Sequence, residues 1–225
     1  MNTLKLLSVL LGYPSAELVA AIPELARRLG EDEALQPDTR DALAGLLVEL
    51  EREDLLDLQE RYVAQFDTGR ATSLHLFEHV HGDSRDRGQA MVGLMSLYHR
   101  AGFVLATSEL PDFLPAVLEY LSTRPTQEAR DVLDDCAHIL RAVGERLLDH
   151  RSPYAAVFSA LLDLQGEPPL IAGRSDADDC HSLGFSDNDW QETPVEFGPD
   201  AAMHGAQQSR GEFIRFVPRQ HISRS

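Results

Sequence analysis

The sequence predicts an all-α fold, a single bundle of about eight to nine helices with an irregular C-terminal tail. Three observations carry that expectation. Apolar residues recur with the 3.6-residue period of a helix face through about residue 164. No window alternates apolar and polar residues strongly enough to build a sheet. The periodic stretches are set apart by turn chemistry at Gly30, Pro37-Asp38, Gly69, Gly82-Asp83, Pro125 and Ser152-Pro153. With 225 residues, 43% of them apolar, the chain is long enough to bury one core. The expected division is a helical domain over residues 1–165 and an acidic, Gly/Pro/Asp-rich tail over 166–225.

The opening MNTLKLLSVLLGYP has a leucine-rich run after one cation, as a signal peptide does. Lys5 and Ser8 interrupt it, however, and no small-x-small cleavage site follows. The run is also far short of the roughly 20 apolar residues that span a bilayer. It is expected to be a first core helix ending at Gly12-Tyr13-Pro14, in a cytoplasmic protein.

Residues 15–29, 39–51, 53–66 and 72–81 each repeat the amphipathic pattern. In SRDRGQAMVGLMSLYHRAGFVLA, Met91, Leu94, Met95, Tyr98, Gly102 and Leu105 fall on one helix face. A shorter helix is expected over 112–122. Val132, Cys136, Ile139, Val143 and Leu147 then line the apolar face of TQEARDVLDDCAHILRAVGERLLDH, and residues 154–164 form the last helix. After Gly166 apolar residues become isolated among Gly, Pro, Ser and Asp. Trp190, Val195 and Phe197 are expected to dock locally, and GEFIRFVPR is expected to form a short extended piece.

The formal charge is −17, and Lys5 is the only lysine. Such a field repels nucleic acid and anionic lipid and steers basic partners toward the protein. Cys136 and Cys180 belong to no CxxC pair and to no cluster of zinc spacing, which fits a reducing compartment and no structural metal. There is no G-x-S-x-G, Walker A, G-x-G-x-x-G or Cys/His nucleophile signature. No catalytic residue and no metal ligand is therefore assigned, and the chain reads as a binding protein.

Two stretches stand out. SLHLFEHVHGDSRDRGQAM, residues 73–91, gathers three histidines around a Gly-Asp turn. On a helical wheel of about 100° per residue, Leu74, Leu76, Phe77 and Val80 occupy one half while His75, Glu78 and His79 occupy the other. His75 and His79 stand four apart, a spacing that suits a metal, but the acid is misplaced for HExxH and no third ligand follows by spacing. Gly82 ends one helix and Asp83 or Ser84 caps the next. Arg85 and Arg87 sit at that helix's positive end, where cations are mildly unfavourable, so they are expected to pair locally with Asp83, Asp86 or Glu78, or to face a partner. The second stretch is SELPDFLPAVLEYL, where Pro111 and Pro115 cannot both lie deep in one helix. The helix starts at one of them, with Glu109 and Asp112 beside its positive end.

The runs LKLLSVLLGYP, QERYVAQFD, SLHLFEHVHGDSRDRGQAMVGL and ELPDFLPAVLEYLS, with WQETPVEF more weakly, resemble the nitrate reductase delta subunit family, the NarJ-type molybdenum-cofactor assembly chaperones. The wider group of redox enzyme maturation chaperones, related to the TorD and DmsD types, is all-helical and carries an E-x-P-D-H signature. Glu109, Pro111 and Asp112 match it, while Phe113 stands where the signature has His. A role that depends on that imidazole, such as nucleotide binding, is therefore not implied for this chain. The resemblance implies a TorD-like fold and a cytoplasmic chaperone that binds the N-terminal segment of the apo catalytic (alpha) subunit of respiratory nitrate reductase. It also implies support for molybdenum cofactor insertion into that partner, with no cofactor held stably and no place in the finished enzyme.

The expected partner-binding residues are His75, Glu78, His79, Arg85, Arg87, Glu109, Pro111 and Asp112, with Tyr62 and Phe66 as groove lining. The residues alone leave two other readings open: a metal-dependent helical enzyme using His75 and His79, and a permanent structural subunit of a membrane oxidoreductase. They also leave the oligomeric state open.

Overall fold

The computed structural model describes residues 3–81, 85–105 and 109–173, apart from the side chains of residues 81, 85 and 86. Within them lie nine α-helices: α1 (Thr3–Leu10), α2 (Ala16–Gly30), α3 (Pro37–Arg52), α4 (Leu55–Phe66), α5 (Leu76–His81), α6 (Arg85–Arg100), α7 (Leu114–Leu121), α8 (Thr126–Asp149) and α9 (Ala155–Gln165). A 3-10 turn, Arg70–Thr72, leads from α4 toward α5. The all-α expectation holds, since the extended pairing among the described residues is one isolated bridge, His75 with Phe113.

The leucine-rich opening is a core helix because Leu6, Leu7, Leu10 and Leu11 are all buried, as α1 packs on α7. Its one interior hydroxyl, Ser8, is satisfied by donating to the Pro115 carbonyl at 2.7 Å, and Lys5 pairs with Glu119 of the same neighbour. Helix α2 starts on Ser15, whose hydroxyl accepts from the Leu18 N–H at 3.2 Å. Pro23 lies inside α2 without ending it, because Leu18, Ile22, Leu25 and Leu29 keep the apolar stripe continuous on the buried side. Helix α3 begins with Pro37 in its first turn, where a missing N–H costs nothing. It packs on both α2 and α9.

The longest helix, α8, packs on α9 and buries Leu133, Cys136, Ile139, Leu140, Val143 and Leu147, so the periodicity read there holds from Cys136 onward, while Val132 is only half-buried and Leu133 takes its place. Cys136 is a core residue whose thiol is pushed up to about 12 by burial. Helix α6 is shorter than its apolar spacing indicated. It stops at Arg100, Gly102 turns the chain at φ +71°, and Leu105 lies beyond the helix. Met95 is exposed rather than core. The segment expected to be helical from residue 72 becomes helical only at Leu76, and that from residue 112 only at Leu114. In both cases the residues just before the observed start pair with each other, as described below. The Asp83/Ser84 cap, Trp190, Val195, Phe197 and the GEFIRFVPR piece lie outside the described residues.

No helix of the described residues is long and apolar enough to cross a membrane. Beyond the left-handed Gly166 that ends α9, residues 167–173 run back over α8. Arg141 donates to the Pro168 carbonyl at 2.8 Å and pairs with Glu167 at 3.2 Å, and Gly173 N–H donates to Asp149 at 2.6 Å. This crossing needs Gly144, because a Cβ there would stand 2.8 Å from Phe158 Cβ and 2.9 Å from Leu170 Cδ1.

Gly144→Ala should therefore lower stability, overpacking of about 1–3 kcal/mol outweighing a helix-propensity gain of about 1 kcal/mol. Gly45→Ala, at an exposed α3 position with nothing within 4 Å, should instead raise stability by about 0.5–1 kcal/mol. Urea midpoints of the two variants should move in opposite directions.

Candidate partner-binding site

The two stretches that stand out in the sequence meet in space. Residues 74–76 and 112–114 run antiparallel: Leu114 N–H donates to the Leu74 carbonyl at 2.8 Å and Leu76 N–H to the Asp112 carbonyl at 3.1 Å. Between them the His75 and Phe113 rings lie 5.4 Å apart, tilted. The Asp112 side chain is fully buried, at 0% exposure, and one oxygen accepts from the Phe77 N–H at 3.0 Å. The other faces His75 Nδ1 at 3.2 Å.

Phe77 is in the first turn of α5, where backbone N–H groups lack partners within the helix. Asp112 stands just before the start of α7, as its position before Pro115 indicated, but its side chain caps a different helix from 35 residues away. Leu110 precedes a proline and is biased to extended backbone, which helps feed Pro111 and Asp112 inward. Tyr98 of α6 fixes that turn by donating its buried hydroxyl to the Pro111 carbonyl at 2.8 Å.

His75 is not on α5, so His75 and His79 do not form the i, i+4 pair of one helix. His79 Nε2 contacts the Ser73 carbonyl at 2.9 Å, which accepts its proton. With His75 committed to Asp112 and His79 to Ser73, both imidazoles serve the local structure. No group of three His, Cys, Asp or Glu among the described residues is placed to hold a metal ion.

Glu78 pairs with Arg87 of α6 at 3.2 Å, the local pairing expected for that arginine; the Arg85 side chain lies outside the described ones. The hydrogen bond to Asp112 raises the His75 pKa above the imidazole norm against the opposing effect of burial, with the Asp112, Glu78 and Glu109 charges adding to it. For Glu78, burial pushes the pKa upward, but hydrogen bonds from Ser73 and Arg87 outweigh it and hold it below the usual carboxylate value.

The structure therefore brings His75, Glu78, Arg87, Pro111 and Asp112 to one corner and divides them by depth. Pro111 and Asp112 are buried, Glu109 is exposed, and the side chains of His75 and Glu78 are about a quarter exposed, at 24% and 26%. They border a cleft of about 390 Å³ whose other walls are Asp67, Arg70 and Ser73, with Phe66 beneath.

Tyr62 requires a correction, and Phe66 meets the cleft only as its buried floor. Both are core residues, packed with Tyr154 at ring distances of 6.2 and 5.2 Å. The Tyr62 hydroxyl is spent on the Leu11 carbonyl at 2.8 Å. They face inward because Leu58, Tyr62 and Phe66 form the buried stripe of α4. The sequence reading missed the opposite face of α4, where Leu56 and Val63 are exposed beside Tyr13. The signal was present, since these two residues stand seven apart and off the Leu58–Tyr62–Phe66 stripe.

Asp112→Ala should cost about 2–4 kcal/mol, because it leaves the Phe77 N–H and the His75 ring without their buried acceptor; a shift of a degree or less in melting temperature would refute this. The His75 contribution has a definite pH dependence. Its folded pKa is raised from 6.5, so the stabilisation is complete below pH 6.5 and is lost as pH rises through the folded value. The stability gap between wild type and His75→Gln should accordingly be larger at about pH 6 than at about pH 8.5.

Comparisons with known proteins agree with one another. Residues 32–160 match the model of the nitrate reductase delta subunit family. The chain is 41% identical over 207 residues to the nitrate reductase molybdenum cofactor assembly chaperone NarJ of Escherichia coli strain K12, covering 89% of this chain and 86% of that one. It is 34% identical over 164 residues to the nitrate reductase-like protein NarX of Mycobacterium tuberculosis strain CDC 1551 / Oshkosh, covering 71% of this chain and 24% of that longer one. A solved structure described as a redox enzyme maturation protein from Archaeoglobus fulgidus shares the fold, with a TM-score of 0.55 at 22% identity over 73% of this chain and 93% of that one.

Proposed function

Since the chain belongs to the nitrate reductase delta subunit family, we propose that it is a cytoplasmic assembly chaperone for respiratory nitrate reductase. In this reading it binds the N-terminal segment of the apo catalytic subunit and keeps that subunit competent while molybdenum cofactor is inserted. It then leaves, holding no cofactor stably and catalysing no reaction. The observation that carries the reading is the likeness, along most of the chain, to a protein named for that role.

The geometry supports it in two ways. Asp112, His75 and His79 are used up in holding the corner together, which leaves the corner a rigid frame rather than a reactive site. Around that frame, Asp67 and Glu78 line a shallow cleft together with Arg70, and the Glu109 charge is felt at His75, in a protein of net charge −17. A basic, partly apolar segment gains encounter rate and register from such a rim. In this reading His75, Glu78, Glu109 and the arginines of the α5–α6 corner, Arg85 and Arg87, contact the partner. His79, Pro111 and Asp112 act by positioning them. A micromolar complex, about −8 kcal/mol, is tight enough to hold the subunit and weak enough to release it.

Titrating the full chain with a peptide copying the N-terminal segment of the cognate catalytic subunit should give a saturable heat. The affinity should fall as salt is raised from about 0.05 to 0.5 M, as screening of exposed charges requires. Absence of binding at every ionic strength would sink the proposal. Glu78→Gln with Glu109→Gln should weaken the complex by roughly three- to tenfold, mainly through the association rate.

A further inference from the structure

Helix α4 is apolar on two sides. Leu58, Tyr62 and Phe66 fill the core, while Leu56 and Val63 remain 67% and 39% exposed and Tyr13, from the turn after α1, remains 51% exposed. Residues 56, 60, 63 and 67 form one stripe along the helix, so the outer face reads Leu, Glu, Val, Asp. Tyr13 walls one side of this stripe and makes a groove of about 400 Å³ with Leu56, Gln59, Val63 and Ala64.

The groove is built before any partner arrives. Tyr13 is held edge-on to Tyr62 at 5.5 Å, and Gln59 Nε2 donates to the Pro14 carbonyl at 2.9 Å, tying the turn to α4. Thr68 borders both this groove and the polar cleft beside His75 and Glu78, so the two flank one residue.

The surroundings select the occupant. Glu60 lines the groove, and Asp57 and Asp67, both exposed, are the chain neighbours of its lining residues Leu56 and Thr68. The α4 cation, Arg61, is turned away onto Glu49 and Glu53 at 2.6 and 2.9 Å. A second copy of this chain would bring an acidic surface onto an acidic rim, which costs association energy. A cationic segment with aliphatic or aromatic residues one turn apart matches both the apolar floor and the rim.

We propose that the outer face of α4 with Tyr13 seats the apolar side chains of the partner segment, which binds as a cationic amphipathic helix laid along α4 with its basic end at Asp67 and Glu78. The stripe from residue 56 to residue 67 spans about 16 Å, or three helical turns, which sets the length of segment engaged. This rests on the reading that the chain binds the catalytic subunit's N-terminal segment. It departs from that reading in placing the apolar contacts on α4 rather than among the histidines.

The test is a calorimetric titration of the full chain with that peptide, comparing wild type, Leu56→Asp/Val63→Asp and, as a control on α6, Val92→Asp. Since the replaced side chains are exposed, all three should melt alike; Leu56→Ser alone serves if the double variant does not fold. The double variant should bind at least about tenfold more weakly, Leu56→Ser about threefold, and the control unchanged; the peptide should gain helical circular dichroism on binding. Equal binding by wild type and the α4 variants overturns the proposal while leaving the assembly reading intact. If wild type ignores the peptide, the assembly reading falls. A designed cationic helix with leucines one turn apart then tests the face alone, and indifference to the α4 substitutions overturns it.

Discussion

The carboxylate of Asp112 is the interaction on which the functional corner depends. It is completely buried, so it is tolerable only with its hydrogen-bonding capacity used. Phe77 N–H and His75 Nδ1 supply that use, and the backbone pairing of residues 74–76 with 112–114 brings them within reach. Two segments 35 residues apart are thereby locked to each other, and the ends of α5, α6 and α7 are fixed around them. Tyr98 completes the lock through Pro111. The result is a rigid corner whose inner groups are all occupied and whose outer groups, Glu78 and Glu109, stand at the surface.

That arrangement recasts the E-x-P-D element of the family signature. Its exposed member, Glu109, meets solvent, whereas Pro111 and Asp112 are internal. Where the signature has a histidine this chain has Phe113, and the imidazole beside the aspartate comes from His75 on the paired segment. Binding surface and frame are separate in such a design. The frame is polar and buried, and exposed apolar side chains stand outside it, among them Leu110 beside the corner and Leu56 and Val63 on α4. A frame that does not move when a partner binds lowers the ordering cost of association.

Much of the fold was legible because one-dimensional periodicity reports burial directly in long helices. Cys136, Ile139, Val143 and Leu147 line up in the sequence as they do in α8. The first helix was legible as core because Leu6, Leu7 and Leu10 interleave with Lys5 and Ser8. Legibility failed where local pattern and long-range pairing disagree. Residues 72–75 carry a helical pattern, yet Thr72 closes a 3-10 turn and residues 74 and 75 are held by pairing with residues 112–114, which no nearby residue announces. Leu105 fits the α6 stripe, yet Gly102 turns the chain before it. At the site, the sequence singled out the residues of the corner but not their depth, and it placed Tyr62 in a groove when it belongs to the core, whereas Phe66 is the buried floor of the cleft.

What the sequence determined by itself was the fold class, the sign of the protein's field, the absence of known catalytic signatures and the two stretches that matter, since these follow from composition, period and local chemistry. What only the tertiary structure decided was which polar groups answer one another. Whether Asp112 is a surface charge or an internal cap, and whether His75 and His79 share a helix, depend on contacts between segments far apart in the chain. The outer face of α4 was decided in the same way: a helix with apolar residues on two sides buries whichever side its neighbours cover, and the side left over is known only once those neighbours are in place.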